Sequence, residues 1–178
     1  MRILSIFHST PNKYIFIMDF PRIIMARNPI YFESIQIGEK IEGLPRTVTE
    51  TDIWTFAYLT ADFFPLHTDV EFAKKTIFGK PIAQGMLVLS IALGMVDQVI
   101  LSNYDVSSVI AFFGIKDVRF LRPVFIGDTI AASAEVVEKQ DFDEKSGVVT
   151  YKLEVKNQRG ELVLTALYSA LIRKTPSK

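Results

Sequence analysis

The chain has 178 residues, 49% apolar and 22% charged, with 20 basic and 20 acidic side chains. That length fits one domain, and the balance fits a folded rather than a disordered chain. Zero net charge gives no electrostatic reason to expect nucleic acid or an anionic membrane as partner. Cysteine is absent and His8 and His67 are the only histidines. Disulfides, Cys-ligated metals, thiol nucleophiles and a three-histidine metal site within one chain are therefore excluded. The expected compartment is intracellular and cytoplasmic, although a chain without cysteine suits either side of a membrane.

Residues 1–25 are apolar but interrupted by Pro11, Asn12, Lys13, Asp19, Pro21 and Arg22. They offer no continuous signal-peptide core and no small-residue cleavage site. They read as an appendage to one domain over residues 26–178, and in-frame Met18 and Met25 leave a later start open. A strand is predicted over residues 39–48. Thr49 then has the character of an N-cap, with Asp52 at the third helical position. Ile53, Phe56, Ala57 and Thr60 recur at helical spacing, which predicts a helix ending near Ala61. Pro65 stops it, and Phe64, preceding proline, must be extended. Thr68 and Glu71 suggest a second capping box opening a short helix through Lys75, before Gly79-Lys80-Pro81 breaks the chain.

A long helix is predicted over residues 82–101, apolar around nearly its whole circumference and therefore enclosed. Its continuous apolar run, residues 86–96, is too short to span a membrane, which takes about 20 residues. Strands are expected over 108–121 and 129–139, and again where Tyr151, Leu153 and Val155 alternate with polar neighbours. Asn157-Gln158-Arg159-Gly160 is turn chemistry, and residues 161–172 resume a strand. The order predicts an α+β fold: an antiparallel sheet wrapping one buried helix.

Among polar residues, Asp62 and His67 stand out. In a regular helix their five-residue offset would set them about 140° apart. Pro65 forbids that helix, so the two flank a turn where a carboxylate and an imidazole can converge for acid–base work. Spacing alone also admits a plainer reading, in which Asp62 closes a turn and His67 precedes an N-cap. Gln84-Gly85-Met86 opens the apolar helix, whose first N–H groups are unpaired and sit at the positive end of its dipole. Gly85 would let a ligand approach those donors, which suit a developing oxyanion. Equally, the glycine would serve close packing. Lys74, Lys75 and Lys80 form a modest basic cluster, read first as a solvated face. Trp54, Phe63, Phe64, Phe112 and Phe113 are expected in the core. No P-loop, G-x-G-x-x-G, G-x-S-x-G or H-E-x-x-H motif occurs.

Three linked motifs carry a resemblance. Tyr58-Leu-Thr-Ala-Asp62-Phe-Phe-Pro65-Leu-His67-Thr-Asp69 is followed by Phe72-Ala-Lys-Lys-Thr-Ile-Phe78-Gly79-Lys-Pro-Ile82-Ala-Gln-Gly85-Met86-Leu87. Then comes Arg119-Phe120-Leu-Arg-Pro123-Val124-Phe-Ile-Gly127-Asp128-Thr129. In order and spacing, from about Tyr31 to Ile172, these resemble the MaoC-like dehydratase family and its R-specific enoyl-CoA hydratases. The resemblance implies a hot-dog fold and a homodimer with active sites at the subunit junction, and leaves higher assembly open. It implies reversible hydration of a trans-2-enoyl-CoA to an (R)-3-hydroxyacyl-CoA, with no metal or redox cofactor. Asp62 and His67 would hold the water and move protons, and the Gly85 N–H would polarise the thioester carbonyl. Phe64, Pro65, Gln84 and Met86 would border the substrate.

The chain departs from the family pattern at Phe64 (usually Asn), Gln84 (usually His), Ala61 (commonly Gly) and Leu93 (a pocket Ser in some hydratases). Two alternatives follow. One is a hot-dog thioesterase using Asp97, the only carboxylate on the long helix. The other is a non-catalytic acyl-thioester-binding subunit, motivated by Phe64 and Gln84.

Overall fold

The computed structural model describes residues 29–176, so the appendage expected over residues 1–25 lies outside them. The first strand departs from expectation: residues 39–48 form two short pieces, β1 (Lys40–Glu42) and β2 (Arg46–Thr47). Gly43 explains the break. Its N–H donates to Ala132 O at 2.8 Å, and its backbone sits so close to the long helix that a Cβ would lie 2.7 Å from Met95 Cβ. Pro45 follows without an N–H to give to a ladder.

Helix α1 (Glu50–Thr60) starts as its sequence specifies. The Thr49 hydroxyl accepts from Asp52 N, and the Asp52 carboxylate accepts from Thr49 N at 2.8 Å. Arg46 also pairs with Asp52. The helix ends at Ala61, held in the left-handed region at φ +60°. The next segment corrects the expected Thr68–Glu71 box. Pro65 opens a single helical turn, α2 (Pro65–Thr68), where its missing N–H costs nothing. Asp69 then caps α3 (Val70–Ala73), its carboxylate accepting from Glu71 N and Phe72 N at 2.8 and 3.0 Å. Of two adjacent candidate caps, the carboxylate takes the backbone donors.

The long helix, α4 (Gly85–Asn103), begins three residues later than predicted, because residues 82–84 are engaged in other hydrogen bonds. Leu87, Val88, Ile91, Ala92, Met95 and Val96 are buried against the sheet. The helix is not enclosed all round: Met86, Ser90, Gly94, Asp97 and Leu101 form an exposed stripe at helical steps. By length and apolar composition α4 could cross a membrane, but its buried face is the core of this fold.

The remaining strands are β3 (Val109–Phe120), β4 (Thr129–Asp141), β5 (Ser146–Asn157) and β6 (Leu162–Arg173). All pairings are antiparallel, in the order β1-β4-β5-β6-β3, with β2 also on β4. Along β5, Tyr151, Leu153 and Val155 face inward as predicted. The β5–β6 turn closes on Gly160 at φ +75°, with the Asn157 side-chain oxygen accepting from Arg159 N and Glu161 N. A curved antiparallel sheet around one long helix is the hot-dog fold.

The aromatic residues expected in the core are largely outside it. Phe63, Phe64, Phe112 and Phe113 are 45–56% exposed, and Trp54 is half-buried. Two of them lie on β3, which ends the sheet and shifts register three times against β6. Gly43→Ala is expected to lower the stability by about 1–3 kcal/mol, the usual range for overpacking. An unchanged denaturation midpoint would show that the close approach to Met95 carries no constraint.

Candidate active site

Three extended residues before α4 organise the site. On one side Ile82 bridges Phe125, and Ala83 N donates to Val124 O at 2.8 Å. On the other side Ile82 N donates to Leu66 O at 3.3 Å. The Ile82 carbonyl lies 2.8 Å from His67 Nδ1. Finally Gln84 reaches back to α1, its Nε2 donating to Ile53 O at 3.2 Å. The motif around Pro123-Val124 thus pins the start of α4, and α4's leader pins His67.

A carbonyl can only accept, so His67 Nδ1 carries the proton of that hydrogen bond. In the neutral ring Nε2 is then the basic nitrogen. Asp62 follows the left-handed Ala61, which turns the chain off the axis of α1. Its N–H donates to Thr60 Oγ1 at 3.3 Å, and one carboxylate oxygen accepts weakly from Phe64 N at 3.4 Å. Both side chains are half-buried.

Asp62 and His67 line one cavity of about 450 Å³ together with Gln84, Gly85 and Met86. Its walls also include Phe78, Ile82, Phe120 and Arg122. At its edge α4 begins with no side-chain cap, leaving the first-turn N–H groups to a ligand or water. Gly85 serves packing as well: a Cβ there would lie 2.7 Å from the Phe120 ring. The two readings of this glycine are compatible.

Phe64 and Pro65 do not line the cavity. Phe64 is exposed and sets its ring edge-on to His67, with centroids 6.1 Å apart, and to Phe72. Pro65 opens α2. Gln84 is buried, and while its amide nitrogen bonds to α1, its Oε1 finds no partner among the described residues. The basic cluster stays outside the cavity. Lys74 pairs with Glu71 at 2.7 Å, and Lys80 rests on the Phe125 ring. Asp97 is also elsewhere: at 1.5 Å per residue, the 12 steps from Gly85 place it about 18 Å along α4. It faces a different cavity.

Sequence reasoning missed Phe120 and Arg122 as cavity residues, although both stand in the third motif. It could not have found the Ile82 carbonyl, because a backbone group has no residue signature.

Residues 33–158 match the family model described as the MaoC like domain. The chain belongs to the MaoC-like dehydratase family. It is 31% identical over 133 residues to the (R)-specific enoyl-CoA hydratase of Aeromonas caviae, covering 75% of this chain and 92% of that protein. Protein MaoC of Klebsiella aerogenes is 40% identical over 100 residues, but these are 56% of this chain and only 28% of MaoC. A solved structure of an (R)-hydratase from A. caviae superposes with a TM-score of 0.64 at 30% identity, covering 81% of this chain and 99% of that one.

Ala61 occupies a conformation that costs a non-glycine residue about 1–2 kcal/mol. Ala61→Gly is expected to raise stability by up to about 1 kcal/mol, after the larger entropy of unfolded glycine is subtracted. A lower melting midpoint would contradict the strain. Nitrogen NMR of neutral His67, with His8 replaced, is expected to show the Nδ1-protonated tautomer. The Nε2-protonated form would contradict the bond to Ile82.

Proposed function

We propose that this protein is a hydro-lyase that adds water reversibly to trans-2-enoyl-CoA thioesters, giving (R)-3-hydroxyacyl-CoA. The observation that carries the reading is one cavity holding Asp62, His67 and the uncapped start of α4 at Gly85. A carboxylate and a neutral imidazole can hold one water between them, and adjacent N–H donors can take up charge on a thioester oxygen. The name of the Aeromonas relative, (R)-specific enoyl-CoA hydratase, supports the substrate class and the configuration.

In this scheme the thioester oxygen lies at the Gly85 N–H, which draws electron density from the C2=C3 bond. The water oxygen bonds to C3 while its proton passes to the Asp62–His67 pair. The electron pair of the double bond moves toward C2 and the carbonyl, giving enolate-like charge at the helix start. The pair then returns a proton to C2, so that H and OH have been added and the residues regain their starting states. Dehydration is the reverse. Neither direction draws on a metal or redox group.

We also propose a homodimer paired through β3. Among the described residues this strand is the long edge of the sheet, opposite the short β1, and it exposes Ile110, Phe112, Phe113 and Ile115. An exposed apolar edge with unpaired N–H and C=O groups is a template for a second strand.

Asp62→Asn and His67→Gln should each lower kcat for crotonyl-CoA hydration by about 10²–10⁴-fold, the usual contribution of a positioned acid or base. Both should retain the wild-type melting curve. Turnover near wild type in either would refute the assignment, and wild-type binding of acyl-CoA without turnover would favour the non-catalytic subunit. Sedimentation should give a dimer, and Phe113→Asp a monomer. A monomeric wild type would remove the interface.

A further inference from the structure

A second cavity, of about 390 Å³, lies toward the other end of α4 and shares no lining residue with the first. Its wall is mainly aliphatic, from residues 30–41, the long strands β3 to β6, the last turns of α4 and the loop after it, with a stack of three rings. Tyr151 and Tyr168 are parallel with centroids 4.9 Å apart, and Phe112 stacks on Tyr168 at 6.1 Å. Two features distinguish it from an ordinary packing gap. Tyr168 is 5% exposed, yet its hydroxyl finds no hydrogen-bond partner among the described residues. Leaving a buried donor unpaired costs about 1–3 kcal/mol, so such a group in a cavity wall calls for a partner. The second feature is charge: among the described residues Glu39 and Asp97 are the only ionisable side chains on the wall besides tyrosines, and no cationic side chain lines it.

We infer that this cavity binds a neutral, largely aliphatic molecule or chain bearing a hydroxyl or ketone oxygen, with the Tyr168 hydroxyl as its hydrogen-bond donor. Burial pushes the Tyr168 phenol up, with Tyr151 and Asp97 adding to it, so it stays a donor at neutral pH. Partial burial also raises the Asp97 carboxyl, which keeps one side open to solvent. A ligand carboxylate would meet two acidic groups and no counter-charge, which selects against fatty acids. The volume falls within the range of small-molecule sites. The same chemistry has two sources: a free alcohol or ketone, or the oxygen-bearing far end of a thioester's acyl chain.

Calorimetric titration at pH 8 with 1-octanol, 2-octanone, octanoate and toluene tests the site without reference to turnover. Octanol and octanone should bind at least tenfold more tightly than octanoate. Tyr168→Phe should weaken both about 2–10-fold, the worth of one net hydrogen bond, and leave toluene unchanged. Ala111→Phe, which fills the cavity from the exposed edge strand, should abolish binding of all probes while the protein still melts cooperatively. Equal binding of octanoate and octanol, no effect of Tyr168→Phe, or no saturable binding would overturn the inference.

Competition assigns the source, and this arm alone rests on the hydratase reading. Octanol that raises KM for 2-decenoyl-CoA but not for crotonyl-CoA identifies the far end of an acyl chain. Octanol that affects neither substrate identifies a free ligand. Equal inhibition of both would put octanol in the catalytic cavity and contradict the placement.

Discussion

The candidate site depends on one short extended segment, residues 82–84, and on where its backbone groups are spent. Ile82 gives its N–H to Leu66 and offers its carbonyl to His67, while Ala83 is tied to Val124 on the opposite side. These residues cannot also join a helix, so α4 starts at Gly85 with its first donors free of a side-chain cap. The same commitments set the imidazole tautomer. A single length of chain therefore fixes both the His67 imidazole and the uncapped N–H groups at the start of α4. Gln84 adds a tie to α1 through Ile53, which explains how a residue differing from the family's usual histidine retains a structural role.

The parts of this arrangement legible in the sequence are those with local causes. Thr49 and Asp52 satisfy one another within one turn, so the start of α1 can be read directly. The Asn157–Gly160 turn is likewise specified by its own side chain and a glycine. Where causes are distant, the reading slips. The break at Gly43 comes from Met95 on another element, and the late start of α4 comes from Val124 and Phe125. Thr68 was a plausible cap until set beside Asp69, whose carboxylate accepts two donors. Aromatic residues on β3 have core composition but sit at a sheet edge, so composition alone misplaced them.

For the site, spacing brought Asp62 and His67 only as far as a shared turn. Two further motifs carried the resemblance, and the fold then gives them a common cavity with Gly85. Phe64 and Pro65, grouped with them by sequence adjacency, fall outside it because the turn directs Phe64 to solvent. The helix whose uncapped start borders this cavity reaches Asp97 about 18 Å on. The chain thus holds a pocket lined by Asp62 and His67 and a separate, largely apolar pocket toward the two ends of one helix.

The product formed from crotonyl-CoA tests the central claim most directly. Chiral analysis after incubation with the wild-type protein is expected to give (R)-3-hydroxybutyryl-CoA, because water held by Asp62 and His67 meets one face of C3. The (S) product would place the water on the other face. No product from crotonyl-CoA or longer trans-2-enoyl-CoAs, despite binding, would contradict the claim that this pair adds water at all.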